Sequence, residues 1–306
     1  SEKILPRTTQ ISKAITGVYV GLTFICMMML IIVGLNGFDA LAHAMTTIAT
    51  GGFSTKDASI GHFDSAAVDG VILLFMLIGS LPFVLYIQAV RGRPLAIWKD
   101  EQVRAFAKVI LAAAALVTLW LAVFKDFSFF EALRFGSFNL ISLLTGTGFS
   151  SADYGTWGGC SVTLFFVVMF IGGCAGSTSC GIKIFRFQVM FRAFDTWRSK
   201  LLMPNGVFLA TFNGRTIHKS VISSVMSFFS FFVISFFVLS IAVAATGVDW
   251  VTALSGVGSA IANVGPGLGE RDDVAGRLAP QPRVDDGTLA DDAAKGGFYI
   301  LARTPI

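Results

Sequence analysis

Five apolar runs constrain this chain more than any other feature: residues 16–35, 68–90, 103–124, 162–181 and 221–246. Each comes close to the roughly 20 residues a helix needs to cross the hydrocarbon core of a bilayer. No water is present there to bond backbone N–H and C=O groups, so runs of this length cross as helices. Hydrophobic residues make up 54% of the chain and charged residues 14%. Mean hydropathy is +0.74. These values exclude an ordinary soluble domain. The fold class that follows is an all-α membrane protein. The first run is not a signal peptide. It is long, is preceded by Lys3, Arg7 and Lys13, and has no small-residue cleavage pattern after it. Ser1, where an initiator methionine would stand, reads as the start of a processed product or a fragment.

The net charge of +4 matters less than its distribution. Residues 91–104 carry Arg91, Arg93, Lys99 and Arg104 against Asp100 and Glu101. Residues 183–219 carry Lys183, Arg186, Arg192, Arg198, Lys200, Arg215 and Lys219 against Asp195 alone. The segment holding the first glycine turn leans acidic, with Asp39, Asp57, Asp64 and Asp69 against Lys56. Cytoplasmic loops of membrane proteins carry the excess of Lys and Arg. This places the basic loops and the N-terminus in the cytoplasm of a cell with an inner membrane, and the acidic stretch outside. Flanked by membrane runs, a basic cluster sets topology and gives no ground for a nucleic-acid partner. Cys26, Cys160, Cys174 and Cys180 lie in or beside apolar runs, with no metal-ligand or disulfide spacing. They are expected to be buried, inert thiols.

Between the runs, one pattern recurs three times. Phe38-Asp39-Ala40-Leu41 leads to Thr50-Gly51-Gly52-Phe53-Ser54, and Phe130-Glu131-Ala132-Leu133 leads to Gly146-Thr147-Gly148-Phe149-Ser150. Val248-Asp249-Trp250 leads to Asn263-Val264-Gly265-Pro266-Gly267. Such repetition marks repeated structural units. The segments 39–47, 131–143 and 249–262 are too short to span and are expected to be re-entrant half-helices. An acid at the start suits the positive end of a helix, and the negative end then faces the glycine turn. Glycine lets a backbone turn its carbonyls to one side and approach its neighbours closely. A ring of neutral carbonyls replaces the hydration shell of a monovalent cation such as K⁺. The candidate K⁺ filter is Thr50, Gly51 and Gly52; Gly146, Thr147 and Gly148; and Asn263, Val264 and Gly265. Gly52, Gly148 and Gly265 are equivalent positions, and Thr50, Thr147 and Asn263 are expected either to offer a side-chain oxygen or to hold the turn by hydrogen bonding.

A second anomaly ends the run 162–181, which closes on Gly172, Gly173, Cys174, Ala175, Gly176, Ser177, Thr178, Ser179, Cys180 and Gly181. Glycine and serine are poor helix formers. Irregular backbone at this depth must be buried by protein or line water. The expectation is a movable gating loop below the filter. The competing expectation is a small-residue surface for close helix packing, for which Gly172 and Gly176 have the right spacing.

These residues resemble the Trk/Ktr/HKT superfamily of potassium transporters, and most closely its bacterial TrkH type. The likeness rests on Thr46-Thr47-Ile48-Ala49-Thr50-Gly51-Gly52-Phe53-Ser54, on Leu144-Thr145-Gly146-Thr147-Gly148-Phe149-Ser150, on residues 172–183 and on residues 260–269. It covers about residues 1–270. The resemblance implies four span, pore-helix, span units around one pseudo-fourfold pore, each like a potassium-channel subunit. It identifies Gly52, Gly148 and Gly265 with the filter glycines and 172–181 with an intramembrane gating loop. It also implies a homodimer in the lipid bilayer and a cytosolic ring of TrkA-like nucleotide-binding regulatory subunits. No enzymatic chemistry and no organic cofactor is implied.

The expected organisation is a unit at 13–90 with its turn at 50–54, and a second at 103–195 with its turn at 146–150 and the loop 172–181. A cytoplasmic linker follows at 196–216, then an incomplete unit at 217–269 with its turn at 263–267. The tail 270–306 reads as disordered or as out-of-frame coding sequence. The family's first unit and last inner span are not recognised in the chain. The function expected is the pore-forming subunit of a potassium uptake system, or a fragment of it. A truncated non-conducting membrane protein, or a secondary transporter with broken helices, would share much of the composition.

Overall fold

A computed structural model describes residues 4–265. The tail 270–306, and the end of the third unit with Pro266 and Gly267, lie outside the described residues.

The first unit opens with α1 (Ile4–Ile32) and the half-helix α2 (Gly37–Ile48), followed by α3 (Ala66–Gly79) and α4 (Phe83–Val90). The short α5 (Ala96–Lys99) leads into the second unit: α6 (Glu101–Phe124), the half-helix α7 (Phe129–Thr145), α8 (Gly159–Val168) and α9 (Ile184–Leu202). Two residue pairs, β1 (Ile171–Gly172) and β2 (Ile182–Lys183), run parallel at the neck of the loop between α8 and α9. A small hairpin, β3 (Thr211–Phe212) and β4 (Arg215–Thr216), precedes the third unit, α10 (Lys219–Ala244) and the half-helix α11 (Trp250–Ala262). This is a helical membrane fold built from repeated span and half-helix units.

Three helices are long and apolar enough to cross a membrane: 9–32 within α1, α6 and α10. Large apolar side chains on them face outward, including Phe24, Leu111, Leu119, Phe231 and Ile241. A lipid-facing surface looks like this. The other two expected spans are not continuous helices. The run 68–90 breaks between α3 and α4 with a bend of 91°. Pro82 causes the break, because it has no N–H and its ring disfavours helical backbone at Leu81. The run 162–181 is helical only to Val168 and then becomes extended and looped. The three half-helices start and end within a few residues of their expected bounds, and α7 ends at Thr145.

The first two units share one core. Ile48 of α2, Met76 of α3, Phe106 of α6, Phe138 and Leu144 of α7 and Phe165 of α8 are all fully buried, or nearly so, in it. Arg134 of α7 reaches α3, with Nε 2.7 Å from the buried Asp69 carboxylate, and a second nitrogen lies 3.3 Å from Asp64. An unpaired carboxylate there would cost roughly 3 kcal/mol, so the pair fixes α7 against α3. The thiols depart from expectation in part. Cys26 and Cys174 are buried, Cys160 is exposed and Cys180 is intermediate.

Candidate functional site

The three half-helices are fastened at their starts by side chains. Asn36 Oδ1 accepts from the Asp39 N–H at 2.8 Å. Ser128 and Glu131 form a reciprocal capping box on α7. Asp249 Oδ2 accepts from the Val251 N–H at 3.0 Å. Each cap satisfies donors that a helix start leaves open. Asp39 also accepts from Thr55 Oγ1 at 2.5 Å and lies 3.4 Å from Lys56 Nζ. The Thr55 hydroxyl, with Asn36 and Lys56, holds its carboxyl below the usual carboxylate range. The Ser128 hydroxyl and N–H do the same for Glu131.

At their other ends the half-helices run into turns of one design. A left-handed residue follows each helix: Thr50 at φ 48°, Gly146 at φ 71° and Asn263 at φ 55°. Two residues on comes a left-handed glycine: Gly52 at φ 65°, Gly148 at φ 82° and Gly265 at φ 107°. The N–H groups of the turns bond backwards into the helices. Gly51 and Gly52 donate to the Thr46 carbonyl at 2.6 and 3.4 Å, and Thr147 and Gly148 donate to the Ser142 carbonyl at 2.9 and 3.2 Å. Val264 donates to the Ser259 carbonyl at 2.9 Å, and Gly265 to the Ser259 hydroxyl at 3.0 Å. With the N–H groups drawn inward, the carbonyls remain. Among the described residues no donor reaches the carbonyls of Thr50, Gly51, Gly52, Gly146, Gly148, Asn263 or Gly265.

The first two turns lie against each other. A Cβ built on Gly52 would overlap the Thr147 carbonyl oxygen and sit 2.8 Å from its carbon. Only glycine allows this approach together with a left-handed φ.

The loop between β1 and β2 lies at the C-terminal ends of all three half-helices. Thr178 Oγ1 donates to the Ile48 carbonyl at 2.7 Å. Ser179 Oγ donates to the Thr145 carbonyl at 2.7 Å, and the Cys180 N–H reaches the same oxygen at 3.3 Å. The Gly181 N–H donates to the Ala262 carbonyl at 3.0 Å. The last residue of each half-helix thus gains a neutral donor for a carbonyl that the helix leaves open. The loop also fills the break between α3 and α4. The Cys174 N–H donates to the Ser80 carbonyl at 3.0 Å, and the Phe83 N–H to the Gly176 carbonyl at 2.9 Å. Lys183 Nζ bonds the Ser179 carbonyl. The loop presents no helical face, so it is not a helix-packing surface. A Cβ on Gly172 would fall on the Cys180 carbonyl oxygen, and one on Gly176 would meet nothing within 4 Å.

The structure brings Thr50, Gly52, Gly146, Thr147, Gly148, Asn263 and the loop into one neighbourhood. The position of Thr50 is held by Gly146 in the second turn, and polar side chains tie the turns in place. Thr50 Oγ1 donates to the Thr178 carbonyl at 2.8 Å. Thr147 and Thr145 share a hydroxyl pair at 2.7 Å, and Asn263 Nδ2 donates to Cys180 Sγ at 3.0 Å. Residues behind the turns went unread in the sequence. Thr46, Ser142 and Ser259 each stand six positions before an aligned glycine, and that shared offset is a signal that was available. His43 and Asn139 stand nine positions before, and bond Ser54 at 2.9 Å and Ser151 at 3.0 Å respectively.

The family described as "TrkH: Cation transport protein" matches residues 1–279. The chain is 40% identical over 302 residues to the Trk system potassium uptake protein TrkI of Halomonas elongata, covering 98% of this chain and 61% of that protein. It is 35% identical over 269 residues to TrkH of Escherichia coli strain K12, covering 87% of this chain and 56% of that protein. The crystal structure of the potassium transporter TrkH from Vibrio parahaemolyticus superposes with a TM-score of 0.82 at 30% identity, covering 98% of this chain and 65% of that one. The chain therefore spans somewhat over half the length of the relatives it matches, as a multi-pass membrane protein. With the family's sequence matched along most of the chain and a fold shared at this level, the chain belongs to the TrkH cation transport protein family.

Proposed function

We propose that this chain is a pore-forming part of a potassium uptake system in the cell inner membrane, with its N-terminus cytoplasmic. K⁺ would pass inward along the turns at Thr50–Gly52, Gly146–Gly148 and Asn263–Gly265, with residues 172–181 as the gate. One observation carries the reading. In each turn the N–H groups bond back into the half-helix, and the carbonyls of Thr50, Gly51, Gly52, Gly146, Gly148, Asn263 and Gly265 are left without a donor among the described residues. Unpaired carbonyls at the negative ends of three half-helices suit a dehydrated cation. The relatives named above are potassium uptake proteins, which supports K⁺ as the ion. A membrane potential supplies about 2.3 kcal/mol per charge per 100 mV, enough to drive accumulation inward.

The test is growth of a host that lacks its own potassium uptake, on limiting K⁺, carrying the native gene. Restored growth is expected, and Gly148→Ser should remove it or weaken the preference for K⁺ over Na⁺. A host that grows no better than the empty control would overturn the reading.

The same reading gives the protein a homodimeric state and a cytosolic partner, a nucleotide-binding regulatory ring. Support for the docking face comes from the cytoplasmic side, where two basic stretches meet. The Asn213 side chain in the hairpin bonds Asp100 at 2.9 Å and the Glu101 N–H at 3.0 Å. Of the three cations on α9 after Arg186, Arg192 lies 3.7 Å from Glu101 and Arg198 lies 2.7 Å from Asp195. Lys200 has no carboxylate partner among the described residues. Replacing Arg192, Arg198 and Lys200 with glutamine together should weaken co-purification with the ring several-fold at low salt, the gap from wild type narrowing as salt screens the charges. Equal recovery at every salt concentration would confine these residues to topology.

A further inference from the structure

The hydroxyl residues behind the turns have no role in the reading above, yet they form the most regular polar feature of the site. Thr46, Ser142 and Ser259 occupy one position of the repeat. The main-chain carbonyl of each accepts from the turn, at 2.6 Å from Gly51, 2.9 Å from Thr147 and 2.9 Å from Val264. The side-chain oxygen of each grips the turn a second time. Thr46 Oγ1 donates to the Phe53 carbonyl at 2.9 Å and Ser142 Oγ donates to the Phe149 carbonyl at 2.7 Å. Phe53 and Phe149 directly follow the aligned glycines. In the third turn the bond reverses, and Ser259 Oγ accepts from the Gly265 N–H at 3.0 Å. A single residue therefore pins the turn at its N–H groups and again at its far end. The carbonyls between these two points, at Gly51 and Gly52 and at Thr147 and Gly148, have their spacing set by that clamp.

We propose that Thr46 and Ser142, as positioning residues, set the preference of this path for K⁺ over Na⁺, with Ser259 holding the third turn in the reversed sense. The inference rests on the K⁺-conducting reading of the turns. Na⁺ and K⁺ carry the same charge and differ in size. Discrimination therefore depends on whether the carbonyls can close in on the smaller ion, or on how many of them act at once. Either way, a carbonyl released from its clamp can move. Ser142 is fully buried, so water does not replace the lost donor there.

The experiment compares wild type with Thr46→Val, Ser142→Ala, both together, and Thr46→Ser, expressed from the native gene in a host lacking its own potassium uptake. Rb⁺ or K⁺ uptake is measured against Na⁺ uptake, and the thermal midpoint of the purified protein is followed alongside. Each hydroxyl removed is expected to lower the K⁺ over Na⁺ ratio by roughly five- to tenfold, the worth of one hydrogen bond. Thr46→Ser, which keeps the oxygen, should retain the wild-type ratio. A merely structural role would lower the midpoint and leave the ratio unmoved, and that result overturns the inference. So does a Thr46→Ser variant as unselective as Thr46→Val. Should Ser142→Ala not be recovered from the membrane, heat protection of purified Thr46→Val by K⁺ relative to Na⁺ decides, and protection as selective as wild type counts against it. A wild type that takes up Na⁺ and K⁺ alike would overturn the inference alone. A wild type that moves no K⁺ would overturn the conducting reading and this inference with it.

Discussion

Gly52→Ala is expected to bring K⁺ uptake down to the level of the host alone. Gly52 holds a φ of 65°, in the left-handed region. Any Cβ there costs about 1 kcal/mol before it meets a neighbour. The neighbour is the second turn, because the new methyl would overlap the Thr147 carbonyl oxygen and come within 3.2 Å of the Gly148 carbonyl carbon. Those atoms belong to backbone and cannot rotate aside as a side chain would. Relief requires moving one turn away from the other, and carbonyl spacing is the property a filter must preserve. The helix should survive, since the change lies beyond the end of α2 at Ile48. Protein levels near wild type with uptake lowered roughly tenfold or more are therefore expected, and growth on limiting K⁺ and Rb⁺ uptake both read it out. Gly21→Ala is the control, because a Cβ there meets nothing within 4 Å. Wild-type uptake by Gly52→Ala would remove the first turn from the ion path.

Deleting residues 173–179 is expected to raise K⁺ flux several-fold and to loosen its dependence on the regulatory ring. At the helix ends the loop is anchored by hydrogen bonds from Thr178, Ser179, Cys180 and Gly181 to the carbonyls that close α2, α7 and α11, and elsewhere it bonds Gly79, Ser80, Phe83 and Thr50. Each net bond of this kind is worth only about 1 kcal/mol, so no single one of them locks the loop in place. While seated, it presents neutral donors to the helix ends that would otherwise face a cation. Removal should clear those ends. Thr178→Val, which removes the donor to Ile48 and Gly79, should shift flux the same way by a smaller factor. A deletion variant that assembles normally, with flux and regulation unchanged, would rule out a gate at this position.

Much of this was legible in the residues themselves. Apolar run length and the acid at the start of each half-helix placed α1, α6, α10 and all three half-helices. These signals are local: a helix satisfies its own backbone, and a cap is fastened within four residues. The glycine spacing likewise marked the turns, because a left-handed φ is a property of a single residue. Tertiary structure decided the rest. Pro82 signals a break, but not that the carbonyl of Ser80 is met by Cys174 from another unit. Thr50 offers a side-chain oxygen in the sequence, and only the packing shows it donating to the Thr178 carbonyl, 128 positions away. Nothing local reveals that Thr178, Ser179 and Gly181 reach the ends of three different helices, since those partners lie 130, 34 and 81 positions away. A residue's own φ and its immediate caps are written in its neighbours along the chain. Which carbonyl meets which donor across the membrane is set by how the repeats close on one another.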